Sequence, residues 1–204
     1  MLPNIYQGDI DNSLSLFPKY CQIPIEFENY RLKKFVEFYS KFLKKIQNGK
    51  NFELKPQINY LGRYNPRLNT ETDGLINWDM DSYDLFNFIN AFDEPYKGAS
   101  TFINNGNFGK LYLKKVHLHG GDSSNHPYMS GIVSRHDKNW IVVSTKSKHM
   151  ILIEEVLDKK GNNIISKIKV GDRFYTPYGE LEKSKKTKFQ KFRNFKNFKN
   201  FDFW

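Results

Sequence analysis

The chain has 204 residues, with 32 Lys and Arg against 22 Asp and Glu for a formal net charge of +10, which is enough for one good core or two small ones. A single cysteine, Cys21, excludes an intramolecular disulfide and a cysteine-based metal site. No window approaches the roughly 18 continuous apolar residues of a membrane span, and Met1 leads into Leu2-Pro3-Asn4 rather than a secretion signal, so a cytoplasmic protein with no membrane partner is expected.

In chain order, Leu32, Phe35, Val36, Tyr39, Phe42, Leu43 and Ile46 repeat at i, i+3, i+4, i+7 with Lys and Glu between them. That spacing predicts a helix over Tyr30 to Ile46, closed by Asn48-Gly49. Thr72-Asp73-Gly74 is a turn signal. Asp81 is placed to cap a following helix, with Asp84 at its third position favouring the helix dipole. Leu85, Ile89 and Phe92 supply its apolar face, Pro95 ends it, and Gly98-Ala99 offer small side chains for a tight corner.

Beyond Ala99 the pattern becomes short β segments: Thr101 to Ile103, Leu111 to Val116, Gly131 to Arg135, Trp140 to Thr145, His149 to Val156 and Asn163 to Ile168. Polar turns separate them, Asn104-Asn105-Gly106 signalling a hairpin with a longer loop, so a small antiparallel barrel or sandwich is expected. From Lys183 onward there are eight positive residues and one negative, 8 − 1 = +7, leaving about +3 for the rest. Phe189, Phe192, Phe195, Phe198 and Phe201 recur every third residue, which gives no single helical face. A disordered or extended tail is expected over 183–204, its interleaved aromatic and basic residues suited to stacking on bases and contacting phosphates.

The stretch from Tyr64 to Thr101 carries a resemblance. Tyr64, Pro66, Arg67, Leu68, Asp73, Gly74, Ile76, Trp78, Ala91, Pro95, Gly98 and Ala99 fall in the order of the interdomain junction of folate-dependent formyltransferases such as methionyl-tRNA formyltransferase. That junction has a Tyr-x-Pro-Lys-Leu run, an acidic Gly turn, Ile-Asp-Trp, a short helix ending in Arg-Ala, and Pro-x-Pro-Gly-Ala. Asn77, Asn90 and Lys97 depart from it. Sugar N-formyltransferases share the catalytic half and remain open.

The resemblance implies an α+β architecture: a helical remnant of the α/β catalytic domain over 1–50, a linker over 51–78, a small antiparallel OB-like β-barrel over 79–182, and the tail. It implies a substrate-recognition part of a formyltransferase, with 10-formyltetrahydrofolate as the donor of the full enzyme and none expected bound by this chain alone. Tyr64, Arg67, Trp78, Pro95, Tyr96, Gly98 and Ala99 are then structural at the seam. Lys114, Lys115, Arg135, Lys188, Lys191 and Arg193 are the candidates for contact with the acceptor, a tRNA or a nucleotide-linked sugar.

Formyl transfer to an amine needs a general base and a donor for the developing oxyanion. The family's Asn-x-His pair for this work occurs nowhere in the sequence; Asn125-His126 has the wrong spacing. Gly8-Asp9-Ile10 resembles the turn after the family's catalytic Asp, whose place is taken by Tyr6. No catalytic residue is expected here, and a separate catalytic-domain chain is an expected partner. A stand-alone RNA-binding module and an inactive fragment are the alternatives. His117, His119, His126 and Asp122 are close enough in sequence to suggest a metal site, but the spacing favours solvent-facing or hydrogen-bonded histidines.

Overall fold

The computed structural model describes residues 17–49, 69–122 and 124–186. The first element, α1 (Pro24–Gln47), covers the expected helix and begins earlier, because Pro24 sets the first turn and Glu26 closes it. The Glu26 carboxylate accepts from the backbone N–H of Gln22 at 2.7 Å and of Ile23 at 3.2 Å. At the other end Asn48 caps the helix and Gly49 turns out of it. None of its 24 residues is buried: Phe35 is 56%, Val36 63% and Tyr39 50% exposed, so the apolar stripe is formed but uncovered among the described residues.

A one-turn helix α2 (Thr70–Asp73) occupies the expected turn, and α3 (Ser82–Ala91) follows with the predicted cap, Asp81 accepting from the N–H groups of Tyr83 and Asp84. Six strands succeed: β1 (Ala99–Ile103), β2 (Leu111–Gly120), β3 (Val133–His136), β4 (Ile141–Val143), β5 (His149–Leu157) and β6 (Phe174–Tyr175). They form one antiparallel sheet in the order β3-β4-β5-β2-β1-β6. Its two edges meet at one end. Phe174 N–H donates to the Gly131 carbonyl at 2.8 Å, Val133 N–H to Asp172 at 2.8 Å and Gly171 N–H to Val133 at 2.9 Å. The fold is therefore mixed helix and curled antiparallel sheet, as the α+β expectation required.

Packing explains the curl. On β2, Leu111 and Leu113 face the core and then Val116 does; on β5, Ile151 and Ile153 do and then Val156. The pairs Leu113↔Val156 and Val116↔Ile153 show both strands changing inward phase together. Lys115 lies at the change, with φ +51°, a left-handed conformation that a lysine rarely adopts. The core-facing side thus turns a corner, and Leu85 and Ile89 of α3, with Phe92 at its C-cap, close over it.

Two expectations are corrected. Asn163 to Ile168 is not a strand: a 3-10 turn spans Ile165–Lys167, because Ile164, Ile165 and Ile168 all enter the core, a spacing that alternation does not allow. The two-residue β6, too short for a periodic signal, closes the sheet instead. Helix α4 (Tyr178–Lys186) carries regular structure past Lys183, supported by Lys183–Glu180 at 2.8 Å and Lys186–Glu182 at 3.2 Å, so the start of the expected tail is helical. Residues 187–204 lie outside the described residues.

The meeting of the edges depends on Gly131, whose φ is +82° and whose added Cβ would collide with the Phe174 carbonyl. Gly131→Ala is expected to cost about 3 kcal/mol in urea unfolding, combining left-handed strain with the collision. Hydrogen exchange should accelerate first at the amides of Val133 and Phe174.

Candidate functional site

The seam between α3 and the sheet gathers the junction residues. Trp78 is buried, donates from Nε1 to Thr101 Oγ1 at 2.9 Å and stacks on Phe174 with ring centroids 5.7 Å apart. Thr101 passes the bond on, its hydroxyl donating to the Tyr175 carbonyl at 3.0 Å, while Ser130 Oγ donates to the Trp78 carbonyl at 2.5 Å. The Trp78 indole and its backbone carbonyl therefore tie the segment before α3 to β1, β6 and the loop before β3. Gly98 takes φ +112°, with a Cβ position 2.7 Å from the Leu113 carbonyl, so no side chain fits where β1 approaches β2. Ala99 is fully buried and pairs with Leu113. Tyr64 and Arg67 lie outside the described residues.

A buried acid anchors the same seam. Asp93 is 1% exposed; its Oδ1 accepts Glu94 N–H at 2.6 Å and its Oδ2 accepts Lys115 N–H at 2.7 Å. Lys114, a candidate for acceptor contact, is only 7% exposed and has Nζ 3.6 Å from Asp93 and 3.7 Å from Glu94. It is turned away from any acceptor because the backbone turn at Lys115 points it back towards α3. Lys115 remains exposed and pairs with Glu155 at 2.6 Å, a bond that raises its pKa. Arg135 is exposed, with its guanidinium carbon 5.2 Å from the Trp140 ring centroid. Lys188, Lys191 and Arg193 lie outside the described residues. The six cationic candidates are thus not brought together into one described patch.

Two further features were not legible in the sequence. Glu71 of α2 accepts from Lys97 Nζ at 3.2 Å and from the Tyr112 hydroxyl at 3.1 Å, latching α2 to β2. The lysine, then the phenol, hold the Glu71 carboxyl below its usual pKa, and burial followed by the Glu71 charge pushes the Tyr112 hydroxyl up. The second is a cleft of about 730 Å³ between the start of α1 and the back of α3, with Pro95 and Tyr96 on its rim. It is bridged by Ile25 N–H donating to the Glu94 carbonyl at 2.9 Å. Only residues distant in sequence make it, so no local pattern announces it.

The histidines do not converge. His117 Nε2 is 3.4 Å from Glu154, His126 Nδ1 accepts from Tyr128 N–H at 3.2 Å, and His136 Nε2 lies 3.2 Å from the Ile165 carbonyl. No three His, Cys, Asp or Glu side chains are grouped to hold a metal ion among the described residues. No described helix is long and apolar enough to cross a membrane.

Residues 69–167 match the family described as formyl transferase, C-terminal domain. This segment belongs to that family. The formyltransferase domain so defined begins at the N-cap of α2 and runs to the 3-10 turn at Ile165–Lys167, so it contains Trp78, Asp93, Gly98 and the cationic pair Lys114 and Lys115. Two variant crystal structures of HypX from Aquifex aeolicus are also similar. One is 17% identical over 61% of this chain and 20% of that one, with a TM-score of 0.45. The other is 18% identical over 64% of this chain and 22% of that one, with a TM-score of 0.45. This chain therefore spans about a fifth of the length of those proteins.

Removing the Asp93 carboxylate leaves Lys114 buried beside Glu94 alone and two backbone donors unmet. Asp93→Ala is expected to destabilise the domain by about 3 kcal/mol in urea titrations, and Asp93→Asn by less, because the amide oxygen still accepts one bond.

Stability should also fall in acid. Glu71 and Asp81, the latter through the N–H groups of Asp84 and Tyr83, have carboxyls held below their ordinary values. The unfolded chain binds their protons first, so their contribution is whole above an unfolded pKa of about 4 and is lost as pH drops through the lower folded value. The urea midpoint should decline between pH 5 and pH 3. Glu71→Gln should have a lower midpoint at pH 6 and approach the parent's value at pH 3.

Proposed function

We propose that this chain is the substrate-recognition part of a formyltransferase-like protein, working with a catalytic lobe on the same or another polypeptide. The full reaction would move a formyl group from 10-formyltetrahydrofolate to an amine of methionyl-tRNA or of a nucleotide-linked amino sugar, in the cytoplasm. The observation that carries this reading is α1: a 24-residue helix with no buried residue and an apolar stripe from Leu32 to Ile46. Water-facing Phe, Val, Tyr and Leu in one contiguous row mark a protein contact. In this reading α1 is the last helix of the catalytic lobe's side, and the barrel, OB-like in role, presents the acceptor.

Formyltransferases use a formyl-tetrahydrofolate donor, and the described residues do not fit it as a reactant. The cleft beside α1 has no histidine on its walls, and its carboxylate, Glu28, is taken by Arg31 at 2.5 Å. With no Asn-x-His in the sequence, the base and the oxyanion donor belong to the catalytic lobe. This chain's contribution is to bind and orient the acceptor amine, which lowers the barrier by placement rather than by proton transfer.

The test mixes this chain with a formyltransferase catalytic domain that carries Asn-x-His. Association by sedimentation, and formyl transfer in the mixture but not with this chain alone, are expected. Val36→Glu and Leu43→Glu, both on exposed positions, should weaken association at least about tenfold without altering the fold seen by circular dichroism. Unchanged association in both variants would remove the stripe as the contact.

The overall charge of +10 and the exposed Arg135 set over the half-buried Trp140 ring favour a second reading, an RNA-binding module. Binding of single-stranded RNA that falls steeply with salt and vanishes on deletion of residues 183–204 would support it. A sugar-recognising domain shows neither behaviour.

A further inference from the structure

The cleft between α1 and α3 plays no part in the proposed transfer, and its walls have a definite chemistry. One side is aromatic: Phe17 meets Phe27 edge to face with ring centroids 4.9 Å apart, and Phe17, which lines the cleft, is 53% exposed. Opposite stand the α3 residues Asn87 and Ala91, with Tyr96 on the rim 47% exposed. Among the described residues the one cation on the wall, Arg31, is paired with Glu28 through two hydrogen bonds at 2.8 and 2.5 Å, so the two charges offset each other.

Beside the Tyr96 hydroxyl on the rim, the walls carry a pair of primary amides, Gln22 and Asn87, each with an acceptor oxygen beside a donor nitrogen. Amides of this kind recognise a heterocycle edge that presents an adjacent donor and acceptor, as Asn and Gln do with adenine. The volume of about 730 Å³ lies within the range of small-molecule sites, several times what one ring system needs. We propose that this cleft binds an uncharged planar heteroaromatic ring of the purine type, stacked on Phe17 and edge-bonded by Asn87 and Gln22. This site goes beyond formyl transfer and does not depend on it.

The experiment titrates the whole chain with adenosine and follows side-chain amide signals in a ¹⁵N spectrum, with benzyl alcohol as an aromatic probe lacking the hydrogen-bonding edge. Saturable shifts of the Gln22 and Asn87 amides with adenosine, at least about tenfold stronger than with benzyl alcohol, are expected. Ala91→Trp should fill the cleft and abolish the shifts. Asn87→Ala, on the exposed face of α3, should weaken adenosine about tenfold and leave benzyl alcohol unchanged. Four results overturn the proposal: no amide shifts up to 10 mM (about the weakest affinity worth the name), equal binding of both probes, adenosine binding undiminished in Ala91→Trp, or loss of catalytic-lobe association in Ala91→Trp without any adenosine binding, which assigns the cleft to protein docking. Association measured with Val36→Glu keeps the two readings distinguishable, since that substitution lies outside the cleft.

Discussion

The Asp93 carboxylate is the constraint around which this domain is arranged. It sits just past α3, is shut away from water, and accepts the N–H of Lys115 in place of a neighbouring strand. A buried carboxylate survives only when it is well bonded, and this one has two backbone donors and the Lys114 ammonium within 3.6 Å. Its acceptance of that N–H fits the left-handed turn at Lys115, and the turn lets β2 change its inward face. The corner in the sheet, the burial of Lys114 and the seat of α3 on the sheet all follow from one charge placed at the end of a helix.

The two halves of the described structure bury their apolar residues in opposite ways. From α2 onward, Ile76, Leu85, Ile89, Leu111, Leu113, Ile141, Ile151 and Ile153 are each fully removed from water, and Trp78 seals the seam by hydrogen bonding as well as stacking. In α1 a stripe of comparable size remains in solvent. Each side chain left there forgoes about 1.5–3 kcal/mol that burial would supply. A helix of that composition gains little by standing alone, and the capping by Glu26 and Asn48 settles its ends without covering its face.

How far the sequence could be read depended on whether a feature was local. Periodicity gave α1, Asp81 gave the start of α3, and alternation gave five of the six strands, because these signals sit within a few residues of the structure they cause. The Gly98-Ala99 corner was legible for the same reason. The strand expected at Asn163 to Ile168 failed because three isoleucines in six residues mimic a strand when a turn points them inward. β6, the Glu71–Tyr112 latch and the α1–α3 cleft were out of reach, since each is made by residues far apart in sequence: Phe174 by Ile103, Glu71 by Tyr112, and Phe27 by Asn87. Lys114 misled most, since nothing in a Lys-Lys pair tells which of the two is buried.

The departures from the junction pattern acquire a physical meaning in this arrangement. Asn77, where an acid was expected, uses its side-chain oxygen to accept Asp79 N–H at 3.1 Å and so shapes the turn before α3 without a charge. Lys97, where a proline was expected, reaches Glu71 and lies 5.8 Å from the centre of the Tyr112 ring, so it supplies a cation to the latch. Asn90, where an arginine was expected, is 3% exposed, and its amide nitrogen has no partner among the described residues. An arginine at that position would be long enough to leave the seam and bond outside it, whereas an asparagine cannot. The seam in this chain is therefore held by contacts within the domain, from Glu71, Asp93 and Trp78, and less by charges reaching across it.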